Sequence, residues 1–266
     1  MTTLSKQDLA ELRHARKLLE NPGLAAKLSS LIGSPIEKGV KMLPTRWQKS
    51  VNTVTESALM KALDMAVTSL GEKERTPSRN LLHQGAAALS GAIGGAFGIT
   101  ALAVELPFST TVMLRSIADI AASEGENIRF IDTKIACLSV FALGSTVDKR
   151  DNAAESGYFM ARSAMAAAVS EASKYLGEKG IAKSGAPALV RLVGVISSRF
   201  GVVVSEKAAA QAIPIIGAAG GAMINTLFIQ HYQDMARGHF IIRRLEKIHG
   251  AEPVRQAYDG LKGEKA

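Results

Sequence analysis

The sequence predicts an all-α protein, a single multi-helix domain built around two glycine-faced helices and preceded by amphipathic N-terminal helices. Three observations carry this. Apolar residues recur at helical spacing along nearly every segment. Aromatics make up only 5% while glycine and alanine are plentiful, a composition suited to close helix–helix contact. Two long uncharged runs repeat one six-residue pattern, "GAIGGA" at 91–96 and "GAAGGA" at 217–222.

The opening stretch "MTTLSKQDLAELRHARKLLE" has no apolar signal-type core and reads as an amphipathic helix, with Leu4, Leu9, Leu12, Leu18 and Leu19 among Lys, Arg and Glu. It should end before Asn21-Pro22-Gly23. A second long helix is expected after Pro44, which suits a helix start, and to run to Gly71. "GEKERTPSRN" is a polar connector. A helix from about Asn80 should end near Pro107, and another should start at Ser109 or Thr110 and end at Gly125. Asp132 is expected to cap "TKIACLSVFAL", with Gly144 after its end. "AAESGYFMARSAMAAAVSEASKYL" has strong helix propensity. The β-branched runs "VGVIS" and "GVVVS" leave short strands open, but the Leu189, Val193, Ile196, Phe200 spacing favours helix. A last long helix should run from about Pro214 towards Gly250. The organisation expected is 1–78 for N-terminal amphipathic helices, 79–250 for the helical core and 251–266 for a polar tail.

The net charge is +8, with 47% hydrophobic and 21% charged residues, so the chain is no disordered segment. Residues 1–80 carry 13 basic and 8 acidic side chains, residues 105–207 carry 12 and 11, and residues 231–266 carry 7 and 5. The excess is mainly N-terminal, where it favours anionic lipid headgroups. No Lys/Arg cluster with interleaved aromatics appears, which argues against a nucleic-acid partner. The single cysteine, Cys137, lies in an apolar run and reads as a buried, inert thiol in a reducing compartment.

The uncharged runs span 21 residues from Gln84 to Val104 and 23 from Ala208 to Gln230. Gly91, Gly94, Gly95 and Gly98 in the first, and Gly217, Gly220 and Gly221 in the second, form GxxxG-type faces that let a partner backbone approach closely. Each glycine costs about 1 kcal/mol of helix propensity relative to alanine, so the runs need a packing reason. Twelve of the first 21 residues are Gly or Ala, and the second run holds Gln211, Pro214 and Asn225. Both weaken a transmembrane reading against a buried glycine-faced pair; conditional insertion into a membrane stays open.

The strings "GGAFGITALAVELPFSTTVMLRSIADIAASEGE", "CLSVFALG", "AESGYFMARSA" and "SSRFGVVVSEKAAAQAIPIIGAAGGAMINTLFIQHYQDMARGHFIIRRLE" resemble the EcsC protein family over roughly two-thirds of the chain. That resemblance implies a helical bacterial protein encoded beside an ABC transporter and acting at the membrane, with no established catalytic residues to carry over. No Walker-type glycine loop is present, so the chain is not itself the ATPase.

Three groups of polar residues are candidates for a site. Glu105 follows the first uncharged run, and Arg115 and Asp119 share a helix face; a buried Glu105 needs a cation, and Arg115 is the expected partner across a Pro107 turn. Asn225, His231, Asp234, Arg237 and His239 lie on the last long helix, where Asp234 and Arg237 are spaced to pair. Glu246-x-x-His249 is half of a di-iron motif, but no second half exists, so no metal is expected. The third group is Glu155-Ser156-Gly157-Tyr158 with Ser205-Glu206-Lys207; "ESG" is not a G-x-S-x-G elbow, and Ser205 and Lys207, two apart, face different sides of a helix.

The reading that follows is a non-catalytic accessory or adaptor of EcsC type on the cytoplasmic side of the inner membrane, peripheral or partly inserted. It needs no cofactor. Its partner would be the membrane surface, a lipid or a membrane protein, including an ABC transporter, engaged through the basic amphipathic N-terminal helices. The alternative is a small-ligand or lipid-binding protein, or a hydrolase, that uses the Glu/Arg/Asp/Asn cluster.

Overall fold

The structure, a computed structural model, describes residues 4–20, 23–43, 45–70, 99–145, 157–179, 185–212 and 217–261. Among these residues it is all-α, with ten helices and no strand: α1 (Lys6–Glu20), α2 (Leu24–Ile32), α3 (Ile36–Met42), α4 (Thr45–Ser69), α5 (Ile99–Ser123), α6 (Ile131–Ser139), α7 (Gly157–Lys179), α8 (Pro187–Gln211), α9 (Gly217–His249) and α10 (Ala251–Gly260). A 3-10 turn at Val140–Ala142 extends α6. The β-branched runs lie inside α8, where Leu192, Val193, Ile196, Phe200, Val203 and Val204 are all buried; packing outweighs their strand propensity.

Helix α9 is the axis of the bundle. Its partner α5 runs parallel to it in constant register: Gln233 Nε2 donates to Ser116 Oγ at 2.8 Å, and Arg244 Nε donates to Glu124 at 3.1 Å. Helix α8 is antiparallel to α9, bringing Lys207 to Asn225, and α4 is antiparallel to α8, bringing Asn52 to Gly201. Helix α1 runs antiparallel along the far half of α9, where Arg244 Nη2 reaches Glu11 at 2.6 Å and His249 Nε2 contacts Asp8 at 3.0 Å. The core carries an aromatic cluster of Phe141, Phe200, Phe228 and Tyr232, with ring centroids 5.0 to 6.0 Å apart.

The topology sorts the bundle into two ends. Helices α4, α5 and α9 begin at one end, α8 finishes there, and α3 lies over it: a Cβ added at Gly39 would sit 3.5 Å from the Ala209 Cβ. The far end holds the ion pairs of α1, α5 and α9.

Several sequence expectations are corrected. The chain does not turn at Pro107, which sits inside α5. A proline removes one backbone bond, but α5 packs along both α4 and α9, and those contacts hold the helix through it. Asp132 stands in the first turn of α6 and Phe130 takes the cap position. Residues 251–260 are not a polar tail but helix α10, held by buried Val254 and Tyr258. Helix α1 is amphipathic as expected, but its apolar face is already used: Leu12 and Ala15 are fully buried against the bundle. The expected glycine faces at Gly91, Gly94, Gly95 and Gly98 lie outside the described residues. Gly217, Gly220 and Gly221 form the first turns of α9, with Gly221 buried.

Candidate functional site

Buried polar side chains recur along α9 at Asn225, His231, Gln233 and His239, and two of these places gather charged partners. The first is at the end where α5, α8 and α9 meet. Lys207 of α8 is 0% exposed. Its Nζ donates to Glu105 Oε1 at 2.5 Å and to Asn225 Oδ1 at 2.8 Å, and it stands 4.6 Å from the centroid of the Phe228 ring. Gln211, one turn further along α8, donates Nε2 to the other Glu105 oxygen at 3.3 Å. Burial disfavours the Lys207 ammonium and lowers its pKa, while Glu105 opposes that. A closed group of this kind satisfies its own donors and acceptors. It locks three helices together at the neck of the uncharged end.

The second place is where the first turns of α7 meet the C-terminal part of α9. Arg162 of α7 binds Glu246 with both terminal nitrogens, at 2.7 and 3.0 Å. The Arg162 Nη1 also donates to the Tyr158 hydroxyl at 3.3 Å. That hydroxyl lies 2.9 Å from Nδ1 of His239 on α9. Burial, then the charges of Arg162 and Arg243, hold the His239 pKa well below its ordinary value, so the ring is neutral. Beside it Glu126 accepts from Arg243, Lys247 and Thr133 at 3.1, 2.7 and 3.1 Å. Burial raises the Glu126 pKa, but these cations outweigh it and the net shift is downward. A cleft of about 390 Å³ opens between α6, α7 and α9, with His239, Arg162 and Arg243 on its wall.

Of the residues singled out from the sequence, Glu105 and Asn225 do converge, through Lys207. Arg115 does not join them; it is exposed on the outer face of α5, and Lys207 is the cation that Glu105 finds. Asp119 is half-buried on that helix. Asp234 pairs with Lys27 of α2 at 3.3 Å rather than with Arg237, one turn away on its own helix. His239 belongs to the second group. Glu155 and Ser156 lie outside the described residues. Glu246 and His249 hold Arg162 and Asp8, and no group of three or more His, Cys, Asp or Glu side chains able to hold a metal occurs among the described residues. Cys137 is buried, and burial pushes its thiol up to about 12, which makes it inert.

Arg162 and Gln233 were not legible as site residues, and Lys207 and Tyr158 were read only as neighbours of candidate serines, not as partners of Glu105 and His239. The one available signal was Lys207 itself, the last charge before the second uncharged run, as Glu105 is the first after the other.

A model of the family described as the EcsC protein family matches residues 6–245. No curated protein and no solved structure matches the chain.

Proposed function

The chain belongs to the EcsC protein family, and from that premise we propose that it is a non-catalytic accessory protein that docks on an anionic membrane surface through the uncharged end of its bundle. One observation carries this reading. From Ile99 to Leu114 in α5, Ala208 to Gln211 in α8 and Gly217 to Gln230 in α9 the only charged residue is Glu105, and Lys207 neutralises it inside the protein. No side chain of those stretches offers a charge to solvent. Phe108, one turn beyond Glu105, is 51% exposed, and Met223, two residues before Asn225, is 50% exposed.

The surroundings suit a headgroup layer. Helix α3, which covers this end, presents exposed Lys38 and Lys41 beside Met42, itself 82% exposed. Lys49 follows in the second turn of α4 and is also exposed. An apolar patch edged by lysines draws on two forces at once, burial of apolar surface and attraction to anionic lipid. Helix α1 takes no direct part, since its apolar face is covered by α9.

Flotation with vesicles tests the proposal. The protein should float with phosphatidylglycerol-containing vesicles, less with pure phosphatidylcholine, and less again at high salt. The double variant Phe108→Asp/Met223→Asp, at exposed positions, should stay folded and stop floating. A wild-type protein that floats with neither vesicle sinks the lipid reading. Binding to native membranes but not to protein-free vesicles would replace lipid with a membrane-protein partner.

A further inference from the structure

The cleft between α6, α7 and α9 contains a polar atom that the fold leaves unused. The Nε2 of His239 is buried without a hydrogen-bond partner, and the residue lines the cleft. The network behind it assigns the proton. The Tyr158 hydroxyl accepts from Arg162, so its own hydrogen is free to point at His239 Nδ1. With Nδ1 as acceptor, a neutral imidazole carries its proton on Nε2. His239 therefore holds its proton on Nε2, a buried and unpartnered donor in a residue that lines the cleft. A buried donor left unmatched is unfavourable, so its retention asks for an acceptor brought from outside.

Arg243 stands on the same wall. Its bond to Glu126 uses Nε and leaves both terminal nitrogens out of it. The opposite wall, from Met165, Ala166 and Val169, is apolar. Glu246 and Glu126 face Arg162, Arg243 and Lys247, and Asp132 also lines the cleft, so the wall offers hydrogen bonds with little net positive charge. That suits a monoanion with an apolar body better than a phosphate dianion. We infer that the cleft is a binding site for a small acyl carboxylate, its head held by His239 Nε2–H and Arg243 and its chain laid on Met165 and Val169. A volume of about 390 Å³ is at the small end of ordinary ligand sites and fits a short to medium chain.

Octanoate is the probe, followed by calorimetry and by 15N shifts of the His239 ring. The wild-type ring should show the Nε2–H tautomer, and octanoate should bind saturably at one site and move the Nε2 resonance. His239→Asn is the informative variant. Its amide oxygen can take the place of Nδ1 and still accept from Tyr158, while nothing replaces Nε2; binding should weaken at least tenfold. Ser170→Trp, at an exposed position on the cleft wall, should abolish binding without touching the polar network, and it decides the matter if the asparagine variant fails to fold. No saturable binding of octanoate, equal binding by both variants, or preferential binding of inorganic phosphate would each overturn the assignment. Vesicle flotation of Ser170→Trp should stay normal, which separates this site from the membrane-docking end.

Discussion

Lys207 and Glu105 stand 102 positions apart in the chain and meet inside it, with Asn225 as the second acceptor of the ammonium. The contact joins α8 to α5 and α9. Breaking a buried pair from one side strands the other charge, at a cost of about 3–5 kcal/mol. Lys207→Met should therefore lower the urea midpoint sharply, and Glu105→Gln should lower it less because an amide can still accept a hydrogen bond. The double variant Lys207→Met/Glu105→Leu should recover most of the loss. A single variant as stable as wild type would show that the pair does not organise this end.

Gly238 is a place of close approach between α1 and α9. A Cβ there would lie 2.6 Å from Leu19 Cγ and 2.9 Å from the carbonyl oxygen of Ala15. The second of these is backbone and cannot turn aside. Gly238→Ala should push α1 outward at a cost of about 1–3 kcal/mol and speed proteolysis within residues 6–20. Unchanged protease resistance would mean that α1 is not seated as described.

His239 is neutral and buried beside Arg162, Arg243 and Tyr158, with Glu246 beyond them, and its folded pKa lies well below 6.5. Below that value the unfolded chain takes up a proton that the folded chain refuses. Stability should fall as pH drops from 6.5 towards the folded value, by at most about 1.4 kcal/mol per pH unit from this group. His239→Asn should flatten that part of the stability profile. An unchanged slope would point to another group.

Glu126 behaves differently in its pH window. Its folded pKa lies below the unfolded 4.5, so its contribution is present above about 4.5 and is lost as pH falls through the lower folded value. Glu126→Gln should be less stable than wild type at neutral pH, and the difference should close on acidification beneath 4. A constant difference across that range would assign its effect to packing instead.

Lys38→Glu/Lys41→Glu should weaken attachment to anionic vesicles and flatten its salt dependence, because both lysines are exposed on α3. Deleting residues 1–43 is not an equivalent test. It would uncover the α9 surface that Leu12, Ala15 and Leu19 bury, so loss of binding could follow from loss of the fold.

Helical periodicity, the small-residue composition and the placement of proline and glycine determined the fold class, the long helices α1, α4, α8 and α9, and the left-handed stop at Gly144, whose φ is +73°. These are local properties, written within a few turns of chain. Glu105 and Asn225 could be picked out as buried polar residues for the same reason, since each sits in or beside an uncharged run. Their pairing could not. Lys207 and Tyr158 stand beside candidate serines in the sequence and Arg162 beside none, and only the packing of α7 and α8 against α9 brings them to Glu105, Asn225 and His239. The passage of α5 through Pro107 was likewise a tertiary outcome, because contacts with α4 and α9 outweigh one missing backbone bond. Choosing Lys207 over Arg115 for Glu105 rested on burial: a carboxylate removed from water is satisfied by the cation on its own side of the helix wall, and which side that is depends on how three helices dock.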